Sequence, residues 1–91
     1  MRFGLRWDDE AEIHVLRHGL SRADVEMAVL NYAYLRKVKE RYRLLGRSAD
    51  KVLFVVLAPG PGANDEVSVV TARPATRAEK RLLHARGKGS R

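Results

Sequence analysis

The cationic residues best placed for chemistry lie where an apolar strand is predicted to end and a basic helix to begin, in residues 67–81. The β-branched run of the strand ends at Arg73, Pro74 breaks it, and Thr76 is placed to cap the helix. Cations fixed by such rigid elements suit the binding and polarisation of a phosphate, because they are already in place when negative charge develops. We therefore predict a phosphate-binding site that includes Arg73.

A second set of arginines alternates with other residues over residues 41–47. In a strand, Arg41, Arg43 and Arg47 share one face, while the apolar residues between them take the other. If the apolar face packs beneath the helices, the arginines lie on the open face of the sheet. A planar guanidinium matches two phosphate oxygens. We predict that Arg43 and Arg73 bind the phosphate during catalysis, with Arg41 and Arg47 as substrate-binding residues.

Candidates for proton transfer lie on the C-terminal helix. Glu79 and Lys80 begin this helix near Arg73, and His84 lies one turn beyond Lys80. Carboxylate, amine and imidazole groups can each act as a general acid or base when they are positioned beside the reacting atoms. The alternative is that Glu79 and Lys80 form a solvated helix face and that His84 is a helix-end residue. Arg77 and Arg81 on the same helix are predicted to bind substrate.

The positive charge of the chain is concentrated in two blocks. The net charge is +7, with a balance of +5 in residues 36–51 and of +6 in residues 73–91. Two basic blocks separated by an apolar strand can meet on one surface and attract a polyanion such as RNA. A solvated, solubilising surface and a site for an acidic protein partner are the alternatives.

The length of 91 residues predicts one domain, residues 1–86, followed by a flexible basic tail at 87–91. The chain has no cysteine, which excludes disulfides, thiolate metal sites and a cysteine nucleophile. No segment is apolar enough for a signal peptide or a membrane span.

His14 and His18 share a helix face, but no third metal ligand is evident. We predict a cytoplasmic protein with no membrane contact, metal or cofactor.

The apolar periodicity predicts the element order βααββββα. A short strand is followed by two helices that are joined at Gly19, with Ser21 as the N-cap of the second helix. Four strands follow, near residues 33–38, 41–47, 52–57 and 67–72, with a loop at 59–65. The last helix is predicted to run from Thr76 to about Ala85. The fold class is α+β, with an antiparallel sheet of four to five strands and the helices on one face.

Four segments, in this order, resemble the BrnT-type toxins of bacterial type II toxin–antitoxin systems, within the RelE/ParE superfamily. They are Trp7-Asp8, Arg-His-Gly-Leu-Ser at 17–21, Arg-Tyr-Arg-Leu-Leu-Gly at 41–46, and Val-Val-Thr-Ala-Arg-Pro-Ala-Thr-Arg-Ala-Glu-Lys at 69–80. Together they extend over about residues 5–84. One departure is Leu83, which stands where such toxins often have a tyrosine.

This resemblance implies a ribosome-independent ribonuclease, or mRNA interferase, that is held inactive by a cognate antitoxin. The cleavage that it implies needs no metal, because the 2′-hydroxyl of the RNA attacks its own phosphodiester. The expected assembly is a homodimer or a toxin–antitoxin hetero-oligomer. Two alternatives remain: an inhibitor of DNA gyrase, as some members of the superfamily are, and an RNA-binding module of the same fold without catalysis.

Overall fold

A computed structural model describes residues 4–60 and 66–89, and in the last helix the side chains as far as Leu83. The elements are, in chain order, β1 (Gly4–Arg6), α1 (Asp9–Arg17), α2 (Arg22–Leu30), β2 (Tyr32–Val38), β3 (Arg41–Ser48), β4 (Lys51–Pro59), β5 (Glu66–Pro74) and α3 (Arg77–Gly89). This order confirms the predicted α+β arrangement. Helix α3 continues to Gly89, beyond its predicted end near Ala85. Most of the predicted 59–65 loop and the end of the predicted tail lie outside the described residues.

The five strands form one sheet in the order β1-β5-β4-β3-β2. Strands β2 to β5 are antiparallel neighbours, as predicted, but β1 pairs with β5 in parallel. The sheet is therefore mixed, and the prediction of a wholly antiparallel sheet is wrong at this edge. The reason is that α1 and α2 carry the chain from β1 across the sheet to its far edge, where β2 begins. Strand β1 is left beside the last strand and runs in the same direction.

Helix α1 begins after the N-cap residue Asp8, and α2 begins after the predicted N-cap Ser21. The Asp8 side chain accepts a hydrogen bond from the backbone N–H of Ala11 at 2.8 Å. At α2, Ser21 and Asp24 form a reciprocal capping box. The Ser48 hydroxyl also donates to Asp24 at 2.9 Å, which ties the start of α2 to the turn between β3 and β4. Helix α2 is thereby fixed relative to the sheet.

The main core lies between one face of the sheet and helices α1 and α2. Fully buried side chains from the helices meet those from the central strands, including Val15, Val25, Leu44 and Val55. Helix α2 comes very close to β3 at Gly46, where a Cβ atom would overlap the carbonyl group of Ala28. This close packing fixes which residues of β3 face the helices and which face the other side of the sheet.

Helix α3 lies on the other face of the sheet, so the prediction that all helices pack on one face is wrong. Its residues Glu79 and Leu82 line a cleft together with Leu45 and Phe54, which alternate along their strands with the core residues. Leu83 is buried, and α3 contacts β2. The turn at the end of β5 directs α3 across this face, where Leu83 is buried. Within the described residues no helix is long and apolar enough to cross a membrane.

Candidate functional site

Helix α3 and the face of the sheet opposite α1 and α2, here called the second face, form an open cleft of about 730 Å³. Its floor is apolar and consists of Leu45, Phe54 and Val56. Five cationic side chains line it: Arg36, Lys39, Arg41, Arg43 and Arg73. One carboxylate, that of Glu79, lies among them, so the described lining has a formal balance of +4. A concave surface of this charge attracts a polyanion.

Strand β3 places Arg41 and Arg43 in the cleft by simple alternation. Leu44 is buried in the core, and Arg43 beside it is exposed on the opposite face. Gly46 keeps the core face of β3 against α2, because any side chain there would collide with the helix backbone. The orientation of the arginines therefore follows from the packing of the other face.

Arg73 reaches the cleft because β5 contains a β-bulge. Val69 pairs with Leu57 and Thr71 pairs with Val56, which leaves Val70 as an extra residue. An unbroken alternation from Val69 would have turned Arg73 toward the core. The bulge reverses the alternation, so that Ala72 is buried and Arg73 faces the cleft.

The Arg73 guanidinium is held in one orientation by three kinds of contact. It donates to Glu79 through Nη1 at 2.9 Å and Nη2 at 2.8 Å, and Nη1 also donates to the carbonyl oxygen of Pro74 at 3.2 Å. Its centre lies 4.4 Å from the centroid of the Phe54 ring, in cation–π contact. The bond to Glu79 raises the pKa of Arg73, which remains charged.

Glu79 serves both Arg73 and the start of α3. It accepts a hydrogen bond from the Thr76 backbone N–H at 2.8 Å, and its own N–H donates to the Thr76 hydroxyl at 3.2 Å. This capping box confirms Thr76 as the predicted cap. The hydrogen bond from Arg73 and, less strongly, the bond from Thr76 hold the pKa of Glu79 below its ordinary value. Glu79 is therefore a weak base that fixes the position of Arg73.

Arg36 lines the cleft although it is not among the site residues predicted from the sequence. It lies directly opposite Arg43 in the pairing of β2 with β3. Neither arginine forms an ion pair with any described residue. The signal that would have found it is the short turn at residues 39–40, because counting outward from this turn pairs Arg36 with Arg43.

Four of the other predicted site residues are not brought into the cleft. The side chains of Arg47, Arg77, Lys80 and Arg81 are exposed and do not line it. The backbone of His84 belongs to α3, but its side chain lies outside the described part of the chain. The described residues contain no group of three or more His, Asp or Glu side chains that could hold a metal ion.

Comparison with solved structures finds the same architecture in a ribonuclease toxin, BrnT from Brucella abortus, whose crystal structure is known. The TM-score is 0.62, and the match covers 84% of this chain and 100% of BrnT at 22% sequence identity. The chain has the fold of BrnT. The resemblance predicted from the sequence is thus confirmed at the level of the fold. No protein-family model and no curated protein sequence matches the chain.

Proposed function

We propose that this chain is a toxin that cleaves RNA and is controlled by a cognate antitoxin. The observation that carries the proposal is the cleft with a formal balance of +4, built on the fold of a ribonuclease toxin. Arg43 and Arg73 enter this cleft from different strands, β3 and β5. RNA supplies both the negative charge that such a cleft binds and an internal nucleophile, its 2′-hydroxyl.

The proposed reaction is an in-line transfer within the RNA strand. The 2′-oxygen attacks the adjacent phosphorus, the bond from phosphorus to the 5′-oxygen breaks, and the products are a 2′,3′-cyclic phosphate and a 5′-hydroxyl. Negative charge increases on the non-bridging oxygens in the transition state. A guanidinium of the cleft stabilises this charge, with Arg43 and Arg73 as the candidates, and the other arginine binds the RNA backbone beside the reacting phosphate.

The reaction also moves one proton away from the 2′-hydroxyl and one to the leaving 5′-oxygen. Glu79 is poorly suited to either step, because Arg73 holds its pKa low. Its part in catalysis is then to orient Arg73. Lys80 does not line the cleft, which leaves His84 of the same helix, α3, as the candidate for proton transfer.

The positive charge of the cleft also supports the proposal of an antitoxin partner. Arg36, Arg41 and Arg43 line the cleft without an ion-pair partner among the described residues. An acidic or amphipathic segment that entered the cleft would neutralise these cations and exclude RNA. The toxin and antitoxin would then form an inactive hetero-oligomer.

Incubation of a labelled single-stranded RNA with the purified chain in EDTA tests the proposal. The parent is expected to release fragments that end in a cyclic phosphate, and Arg43→Ala or Arg73→Ala is expected to slow cleavage about 10²-fold or more. Arg17→Ala is the matched control, because Arg17 is an exposed arginine on α1, outside the cleft. RNA that is bound but never cut would refute the nuclease and favour a non-catalytic RNA-binding module.

A further inference from the structure

The pair Arg36 and Arg43 is a feature of the cleft that sheet packing does not explain. The two residues face each other on adjacent antiparallel strands, so their Cβ atoms are about 5 Å apart. Both side chains are exposed, and neither forms an ion pair among the described residues. Like charges directly opposite one another destabilise a sheet. Such a pair suits an anion that binds between the two guanidinium groups.

Arg73 is too firmly held to share that anion. The register places it two strands away from Arg43 and two residues further along the sheet, so the two Cα atoms are about 12 Å apart. Its guanidinium is fixed over Phe54 by Glu79 and the carbonyl of Pro74. A movement toward Arg43 would break these contacts.

Arg73 nevertheless keeps an edge with which it can bind an anion of its own. Glu79 takes one N–H from each terminal nitrogen, and Pro74 takes the second N–H of Nη1. The Nε–H and the second Nη2–H have no acceptor among the described residues. These two donors lie side by side on a guanidinium, in the geometry that matches two phosphate oxygens.

We infer that the cleft binds two different phosphates of one single-stranded RNA, the first between Arg36 and Arg43 and the second at Arg73. The inference rests on the proposed function, which supplies RNA as the ligand. Between the two positions lie Val56 and Phe54, partly exposed on the floor of the cleft. An unpaired base can lie on this apolar surface, whereas the stacked bases of a duplex cannot reach it. Arg36 is thus an additional substrate-binding residue.

The test measures binding of a 2′-O-methyl RNA decamer, which cannot be cleaved because its nucleophile is blocked. Arg36→Gln is expected to weaken binding roughly three- to tenfold, the effect of one charge-assisted contact, and to reduce the slope of log K against log salt by about 0.7. Lys37→Gln is the matched control. Lys37 is the next residue on β2, but its ammonium lies 5.7 Å from the ring centroid of Tyr42, which packs against the core on the other face. Equal effects of the two substitutions would overturn the inference.

A double-mutant cycle tests whether there are two phosphates or one. Arg36→Gln combined with Arg43→Gln is expected to be non-additive, because the two side chains share a phosphate. When Arg36→Gln is combined with the double substitution Arg73→Gln and Glu79→Gln, the changes in binding free energy are expected to be additive. Both members of the ion pair are substituted so that the Glu79 carboxylate is not left without its partner. Non-additivity in the second cycle would show a single shared phosphate and refute the two positions.

Two further measurements test whether Arg36 has a structural role and whether the cleft prefers single-stranded RNA. Thermal unfolding of Arg36→Gln is expected at the parent's temperature or higher, because a repulsion is removed; a lower temperature would indicate a structural role for Arg36 instead. A blunt RNA duplex is expected to bind more weakly than the single strand, and equal binding would overturn the single-strand preference. If unmodified RNA is bound with these patterns but not cut, the nuclease proposal fails and the two-phosphate inference stands.

Discussion

Arg73 at the end of β5 and Glu79 in the first turn of α3 form a two-point ion pair, with N–O distances of 2.9 and 2.8 Å. The side chain of Arg73 is 34% exposed and that of Glu79 19%, so the pair is partly shielded from water. Because Glu79 is also bonded to Thr76, the same carboxylate holds both the Arg73 guanidinium and the start of helix α3. The pair therefore contributes to the stability of the fold and orients Arg73 for the proposed function.

Replacement of Glu79 by Gln tests the contribution of the ion pair. Gln preserves the capping bond to Thr76 but removes the charge, and we expect a loss of about 1–2 kcal/mol in the free energy of unfolding at pH 7. The folded state lowers the pKa of Glu79, so the parent has this advantage above the ordinary carboxyl pKa of 4.5 and loses it as the pH falls through the folded value. Urea unfolding from pH 7 to pH 3 measures the difference between the two proteins.

The expected pattern is a difference between parent and Glu79→Gln that narrows below about pH 4.5. The pKa of Asp24 is also lowered, first by the Ser21 backbone N–H. Asp24 is present in both proteins, however, and its contribution cancels in the comparison. A difference that stays constant down to pH 3 would contradict the ionic origin of the effect.

Replacement of Gly46 by Ala tests the close approach of α2 to β3. A Cβ atom at Gly46 would be 2.7 Å from the carbonyl carbon of Ala28, so the helix would have to move away from the sheet. We expect a loss of about 3 kcal/mol in the free energy of unfolding, measured in urea. Gly4→Ala is the control, because its Cβ would meet Glu66 Cγ at an ordinary 3.5 Å. Equal stabilities of the two variants would exclude the collision.

Replacement of Ala49 by Gly is expected to stabilise the turn between β3 and β4. Ala49 has a φ of +56°, a conformation that glycine adopts without the cost that a Cβ imposes. We expect a gain of about 0.5–1 kcal/mol in the free energy of unfolding. The same substitution at Ala23, an exposed position within α2, should instead cost about 1 kcal/mol. A loss of stability at both positions would show that Ala49 is not strained.

Replacement of Arg73 by Lys tests whether the proposed activity needs a guanidinium or merely a positive charge. Lysine cannot make the two-point contact with Glu79 and still offer a second two-point edge to phosphate. We expect a 10- to 100-fold fall in kcat/KM for labelled RNA in EDTA. Arg17→Lys on α1 is the control and should leave kcat/KM unchanged. Activity of Arg73→Lys near that of the parent would mean that a point charge is sufficient.

Local patterns in the sequence were enough to predict the element order and two helix N-caps. Ser21, Thr76 and the alternation of β3 depend on residues that lie close together in the chain, so their signals are visible without a structure. The same alternation predicted that Arg41 and Arg43 face away from the core, and both line the cleft.

Features that depend on distant pairing could not be predicted in this way. The parallel pairing of β1 with β5 joins residues 4–6 to residues 66–68, which are far apart in the chain, and the position of α3 on the second face depends on which apolar surface remains uncovered. The ion pair of Arg73 with Glu79 requires that position of α3. Arg36 was not predicted because its proposed role depends on the residue opposite it, and the register with Arg43 depends on the turn between β2 and β3.

The bulge at Val70 also marks a point where strand β5 can change in length. Strands β3, β4 and β5 each send one set of side chains to the core and the other to the cleft, and a shift by one residue exchanges the two sets. Deletion of Val70 would remove the bulge and restore an unbroken alternation in the existing register, with Ala72 still opposite Val55 in the core and Arg73 still opposite Phe54 in the cleft. Relatives that keep the cleft can therefore lack the bulge if they also lack one residue at this point of β5, whereas a single insertion or deletion in β3 or β4 would need a new bulge to keep both faces.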